Sequence, residues 1–220
     1  FNDEGETLRG GKLIEFLAGH DRAITGLEPM DEDVFLAVPE LRVIGKYGVG
    51  IDMLDLRAMA RHGVRLGWTG GVNKRSVSEL VIAFAITMLR QVGTANEEVR
   101  SGVWRQVKGS LLTARTVGIL GCGHVGKDLA GLLRGFGCEI LAHDIKEFPV
   151  FYREKSIQAV CLNELLARSD VLSIHLPLND STRGLMSESR LAVMKPEAVL
   201  INTARGQIVD EVALKSMLLE

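Results

Sequence analysis

Cysteine is sparse in these 220 residues, and its three copies, Cys122, Cys138 and Cys161, show neither Cys-x-x-Cys spacing nor even pairing. That excludes a disulfide framework and a thiolate metal knuckle, and it reads as reduced, mostly packed thiols of a cytoplasmic protein. Cys122 stands apart, because it precedes a helix N-terminus that could lower its pKa. His20, His62, His124, His143 and His175 are scattered without metal-ligand spacing, so no metal is expected. Charge of one sign is lacking too. A net charge of −2, with 25% charged residues of both signs interspersed, leaves no basic stripe for nucleic acid and no polybasic segment for a membrane surface. No apolar run approaches the roughly 20 residues needed to span a bilayer. Phe1 opens the chain without a charged or apolar leader pattern. What is present is 46% hydrophobic residues, enough for the core of one large or two small domains.

The most informative segment runs from Val117 to Asp144. The apolar Val117-Gly118-Ile119-Leu120 leads into Gly121-Cys122-Gly123-His124-Val125-Gly126, a helix pattern follows to about Phe136, and Ile140-Leu141-Ala142-His143 ends on Asp144. Strand, Gly-x-Gly-x-x-Gly, helix, strand and acid together form the context of a dinucleotide-binding turn. Gly121 serves the tight turn, Gly123 the close approach of backbone to pyrophosphate, and Gly126 the packing of helix on strand. The helix then aims its free N–H groups at the diphosphate.

Elsewhere, apolar periodicity predicts helices over 7–18, near Val34–Val38 with Asp31 as cap, from Asp52 or Met53 to His62, and over Leu162–Arg168 and Ser187–Met194. Strands are expected at Arg22–Gly26, Leu41–Ile44, Val64–Trp68, Asp170–His175 and Ala198–Asn202. The alternation implies parallel pairing and an α/β fold. Ser76 with Glu79 reads as a capping box opening a long apolar helix through Leu89. That helix is apolar on more than one face, as at a domain seam or subunit interface. The domain boundary is placed near Gly70-Gly71-Val72, giving units 1–72 and 73–220. Asp210 opens a helix still running at Glu220. With only four strands counted in the second half, the chain reads as cut short.

Candidate chemistry gathers at strand ends. Asp144, 23 positions after Gly121, can accept hydrogen bonds from adenosine ribose hydroxyls, and its charge repels a 2′-phosphate, favouring NAD over NADP. Lys146 nearby softens that preference. His124 reads either as a phosphate donor or as merely exposed. His175 reads as a structural histidine lining the cofactor crevice. Arg205 follows a strand, where a guanidinium can grip a carboxylate at two points, or it is a surface arginine. The glycine-rich Lys46-Tyr47-Gly48-Val49-Gly50 is a second strand-end loop able to form an anion-binding concavity, or an ordinary tight turn.

Lys46 to Asp52, Ser76-Val77-Ser78-Glu79, Gly102-Val103-Trp104, Val117 to Gly126, His175-Leu176-Pro177-Leu178 and Asn202 to Glu211 together resemble the D-isomer-specific 2-hydroxyacid dehydrogenase family over Leu36–Leu219. The resemblance implies a doubly wound parallel sheet (Rossmann) with a second, smaller flavodoxin-like α/β substrate domain, both incomplete here. It implies hydride transfer between NAD and C2 of a 2-hydroxy or 2-keto acid. Val49 and Gly50, with Lys46 in the same loop, would hold the substrate carboxylate, and Arg205 would bind and polarise the keto acid. Gly121, Gly123, His124, Val125, Gly126, Asp144, Thr69, Leu176, Pro177, Thr203, Ala204 and Arg205 would line the NAD site. A homodimer with extensive contact around the long helix is implied as well. Trp68-Thr69-Gly70 departs from the family's frequent Asn-Thr-Pro, His124 from a frequent arginine, and Leu176 from an occasional threonine. Ala114-Arg115-Thr116 stands where Gly-Lys/Arg-Thr is usual. The family's general acid/base histidine and its glutamate partner are expected past residue 220. The rival reading is a non-catalytic NAD-sensing, corepressor-like protein on the same scaffold.

Overall fold

The structure, a computed structural model, describes residues 2, 3 and 5–219. The chain divides into two compact units between Asn73 and Lys74.

The first unit comprises α1 (Gly10–Leu17), β1 (Arg22–Thr25), α2 (Glu32–Ala37), β2 (Val43–Lys46), α3 (Leu56–Arg61) and β3 (Arg65–Gly67). Its strands form one parallel sheet in the order β1-β2-β3. Leu13, Met30, Phe35, Leu41 and Ile44 are buried together as its core. Asp31 caps α2 by accepting the Val34 N–H at 3.2 Å. Of the boundaries that differ from the sequence reading, two have a clear cause. Strand β2 starts at Val43, because Leu41 turns into the core ahead of it. Helix α3 starts at Leu56 rather than at Asp52 or Met53. Asp55 there accepts the N–H groups of Arg57 and Ala58 at 3.0 and 2.9 Å, and a carboxylate cap outranks apolar spacing in setting a helix start.

The second unit begins with α4 (Lys74–Leu89) and α5 (Val92–Arg100). It continues with β4 (Thr116–Leu120), α6 (His124–Leu133), a 3-10 turn, β5 (Glu139–His143), α7 (Pro149–Lys155), β6 (Ile157–Ala159) and α8 (Leu162–Arg168). Then follow β7 (Val171–Ile174), α9 (Glu188–Leu191), β8 (Val199–Asn202) and α10 (Glu211–Leu219). The five strands pair in parallel in the order β6-β5-β4-β7-β8. The chain grows outward from β4 on one side, returns, and grows outward from β7 on the other. The carboxyl ends of β4 and β7 therefore flank the topological switch point, where open α/β sheets bind ligands. All four residues of β7 and four of the five in β4 are buried, as expected of strands covered on both faces.

Two expectations fail in this unit, the capping box and the strand count. Helix α4 starts at Lys74, so Ser76 lies inside its first turn and forms no capping box with Glu79. Its apolar side chains are not all covered: Val81 and Ala85 are buried, whereas Leu80, Phe84 and Met88 are exposed. Five strands are present among the described residues rather than four, because the three-residue edge strand β6 and the helix α7 that precedes it carry too short a pattern to stand out.

Gly118, in the middle of β4, is required by packing. A Cβ there would collide with the Ser169 hydroxyl and lie 3.1 Å from Leu172 Cδ1, and that hydroxyl is itself bonded to the Leu165 carbonyl at 2.6 Å. Gly118→Ala should destabilise the second unit by about 1–3 kcal/mol, measured by chemical denaturation. Adding Ser169→Ala should recover part of that loss, and additive losses would refute the collision.

Candidate functional site

Strand β4 ends at Leu120 and α6 begins at His124, so only three residues make the turn between them. Gly121 has φ +98°, and a Cβ on it would lie 2.7 Å from the His175 carbonyl oxygen and 2.9 Å from Leu176 Cδ2. A Cβ on Gly126 would collide with the Gly121 carbonyl. Gly123 has nothing within 4 Å of the same position. Two glycines are thus demanded by the protein's own packing, while the third leaves open space where a ligand's backbone contact is expected. No side chain caps α6 at Gly123, and the first-turn N–H groups of a helix lack intrahelical acceptors. Such groups are able to receive an anion. His124 is exposed, Val125 is half-buried and Gly126 is buried.

Asp144 follows the last residue of β5 and is held by backbone. Its Oδ2 accepts the Cys122 N–H at 2.6 Å, and its Oδ1 accepts the Lys146 N–H at 2.8 Å. Each carboxylate oxygen has a second lone pair, so two further hydroxyl donors can be accepted. The loop after Asp144 is packed by Lys127, whose Nζ sits 3.5 Å from the Phe148 ring centroid, a cation–π contact. The Cys122 side chain corrects the sequence reading. It is fully buried, and burial pushes its thiol pKa up rather than down. The neighbouring Tyr152 hydroxyl is also pushed up, chiefly by burial. Loss of solvation outweighs the helix terminus at this thiol.

At the end of β7, His175 Nε2 lies 2.9 Å from the buried Ser173 hydroxyl. Burial lowers its pKa to about 4, which keeps the ring neutral and structural. Leu176 packs on the turn at Gly121. Pro177 is exposed, and its carbonyl accepts the Thr182 hydroxyl at 2.6 Å. At the end of β8, Asn202 brackets the following loop. Its Nδ2 donates to the Arg205 carbonyl at 2.8 Å, and its Oδ1 accepts the Ala204 N–H at 3.0 Å. Arg205 is half-buried and donates from Nη1 to the Ala204 carbonyl at 2.9 Å. Thr203 Oγ1 is buried with no hydrogen-bond partner among the described residues. A buried hydroxyl without a partner is costly, and a ligand donor or acceptor would satisfy it.

Gly121 to Gly126, Asp144, Leu176 and Pro177 therefore gather at the carboxyl ends of β4, β5 and β7, and Thr203, Ala204 and Arg205 at that of β8. Within the first unit, Lys46, Val49, Gly50 and Thr69 lie at the carboxyl ends of β2 and β3. Lys46 Nζ donates to the carbonyls of Gly26 and Tyr47 at 2.6 and 2.7 Å. The ammonium therefore braces its own loop. Sequence reasoning does not single out Asn202, Lys127 or the Trp68 indole, which donates to the Val49 carbonyl at 3.1 Å. Only the asparagine had a usable signal, because Asx side chains commonly bond backbone two or three residues on.

His175 gives this unit an acid sensitivity of definite sign. Its pKa falls from 6.5 to about 4 on folding, so its contribution is complete above pH 6.5 and is lost as pH drops toward 4. The loss approaches about 1.4 kcal/mol per pH unit, for a total of about 3 kcal/mol. Urea denaturation of wild type and His175→Gln between pH 7 and 4 should show curves that diverge by that amount. Parallel curves would exclude a neutral buried histidine.

Residues 82–220 match the family model of the D-isomer specific 2-hydroxyacid dehydrogenase NAD binding domain. A glyoxylate reductase of Korarchaeum cryptofilum is 35% identical over 215 residues, covering 94% of this chain and 65% of that protein. A D-3-phosphoglycerate dehydrogenase of Mycobacterium leprae is 33% identical over 187 residues, covering 84% of this chain and 35% of that protein. The crystal structure of D-lactate dehydrogenase from Aquifex aeolicus, complexed with NAD and lactic acid, aligns with a TM-score of 0.88. It does so at 27% identity over 94% of this chain and 63% of that one. The chain spans less than two thirds of the length of each of these proteins. With its glycine turn, its five-stranded parallel sheet and these matches, the chain belongs to the D-isomer specific 2-hydroxyacid dehydrogenase family.

Proposed function

We propose that the protein carrying this chain is an NAD-dependent oxidoreductase acting at C2 of a 2-hydroxy or 2-keto acid. The observation that carries the reading is the Asp144 carboxylate, fixed to the Cys122 N–H at 2.6 Å beside the open Gly123. A full negative charge held at this position accepts ribose hydroxyls and repels a 2′-phosphate. NAD, when bound, supplies nicotinamide C4 as the hydride donor or acceptor. Gly121, Gly123, His124, Val125, Gly126, Asp144, Leu176, Pro177, Thr203, Ala204 and Arg205 hold it, with Thr69 from the first unit. Arg205, whose loop Asn202 fixes, grips the acid's carboxylate and polarises its C2 oxygen. Val49 and Gly50 offer N–H groups to a carboxylate, in a loop that Lys46 braces.

In this reading residues 1–72 bind the acid and 73–220 the cofactor. The partner is a small hydroxy or keto acid rather than a nucleic acid or a membrane; among the described residues no single helix is long and apolar enough to cross a bilayer. Leu80, Phe84 and Met88 of α4 and Val99 of α5 are exposed, which supports a homodimer closed over this apolar surface. Free Cys122, Cys138 and Cys161 suit the cytoplasm. No observation favours the non-catalytic sensor.

Steady-state reduction of a panel of 2-keto acids, beginning with glyoxylate, hydroxypyruvate and pyruvate, tests the reaction. Arg205→Ala should lower kcat/KM by about a thousandfold, and near-normal turnover would remove Arg205 from the mechanism. Asp144→Ala should raise the KM for NADH about tenfold or more while changing that for NADPH little. An unchanged cofactor preference would refute the role given to Asp144.

A further inference from the structure

The Trp68 indole makes a directed contact. Strands β2 and β3 run in parallel with Gly45 opposite Gly67, so the chain leaves both at the same sheet edge. Trp68 is the first residue after β3. Its Nε1–H crosses to the loop after β2 and donates to the Val49 carbonyl at 3.1 Å. That loop already reverses at Gly48, whose φ is +99°.

The consequence follows from the planar peptide. In a trans peptide the carbonyl of one residue and the N–H of the next point in opposite directions, and this chain has no cis bond among its described residues. Fixing the Val49 carbonyl toward Trp68 therefore aims the Gly50 N–H away from Trp68. An indole N–H is only a donor, so the contact cannot invert. Among the described residues no acceptor meets the N–H of Val49 or of Gly50. They are open to solvent or to a ligand, and the indole decides which way one of them faces.

We propose that Trp68 is a positioning residue for the substrate carboxylate: through the Val49 carbonyl it holds the Val49–Gly50 peptide with its N–H turned toward the acid. The inference rests on the reading above, that this loop binds the carboxylate of a 2-keto acid. Trp68 itself donates no bond to the acid. Its loss should weaken carboxylate binding more than turnover, because the loop still contains both N–H groups but samples other peptide orientations.

The test uses the intact enzyme and Trp68→Phe, which keeps an aromatic ring and removes only the donor. The KM for the best keto acid should rise about tenfold, kcat should change by less than about threefold, and the KM for NADH should stay level. An unchanged keto-acid KM overturns the proposal. A parallel rise in both KM values, or a comparable fall in kcat alone, also overturns it, because either pattern marks a general structural role. Wild-type protein that reduces no 2-keto acid removes the underlying reading and this inference with it. An active wild type with an unaffected Trp68→Phe removes the inference alone. A second measurement is independent of that variant's folding. These 220 residues contain two tryptophans, and Trp104 is exposed, so replacing Trp104 and every tryptophan outside these residues by Phe leaves Trp68 as the only indole. With NADH saturating, oxamate at concentrations that inhibit turnover should change the Trp68 emission. Emission indifferent to oxamate overturns the proposal.

Discussion

The second unit depends on the close approach of helix α6 to the turn that precedes it. Gly126 has no room for a side chain against the Gly121 carbonyl, and Gly121 has none against the backbone at His175. The turn is therefore fixed by backbone on two sides, by its own helix and by the end of β7. Leu129 and Leu133, one and two turns further along α6, are buried in the core as a result. Interiors packed at crystal-like density transmit such constraints rather than absorb them. Asp144, His175 and Leu176 all take their positions by reference to this turn, through the Cys122 N–H, the strand end and the packing on Gly121 respectively. A methyl group at Gly126 would disturb the ligand-facing groups without touching any of them.

The two ends of the sheet divide the polar work. At the amino ends, Asp170 accepts the Thr116 N–H at 2.9 Å and the Lys195 ammonium at 2.8 Å. Arg168 there bonds Glu164, Glu139 and Gln158. Such partly exposed pairs contribute little to stability individually, about 0–1 kcal/mol. Their effect is to satisfy these strand-end groups within the protein. At the carboxyl ends the balance is reversed. The α6 N-terminus has no side-chain cap, Asp144 has lone pairs to spare, and Thr203 Oγ1 is buried without a partner among the described residues. Ligand chemistry belongs at the end where groups remain open.

The elements legible in the sequence are those whose pattern is local. Leu162–Arg168 is the helix that its spacing predicts, and Asp31 caps α2 because a carboxylate ahead of a helix has few better partners than its first N–H groups. Strands β4 and β7 read as apolar runs because both of their faces are buried. The glycine turn was legible because each glycine answers a separate steric demand. What was illegible depended on distant residues. Strand β6 exists only through pairing with β5. Helix α5 buries no residue, so no apolar stripe marks it. Cys122 is beside a helix terminus in sequence but inside the core in space, and burial decides its pKa. The Trp68–Val49 bond joins residues 19 apart, at which range no periodicity speaks.

Both units present free backbone N–H groups at the carboxyl ends of parallel strands, in glycine-rich loops that leave those groups accessible. Backbone donors have a fixed geometry and carry no titratable charge, so such sites bind anions over a wide pH range and discriminate little among them. Discrimination must come from the few side chains that aim or flank the loops. Asp144 is placed to do so by charge, because a carboxylate repels a phosphate that such a turn would otherwise accept. Asn202 does so by fixing the loop that carries Arg205, and Trp68 by fixing a peptide plane. Two of these three act through backbone rather than on a ligand. On the proposed function, substitutions that preserve the glycines retune which acid is preferred while keeping the backbone donors, because the aiming residues and the donor groups are separate parts of the chain.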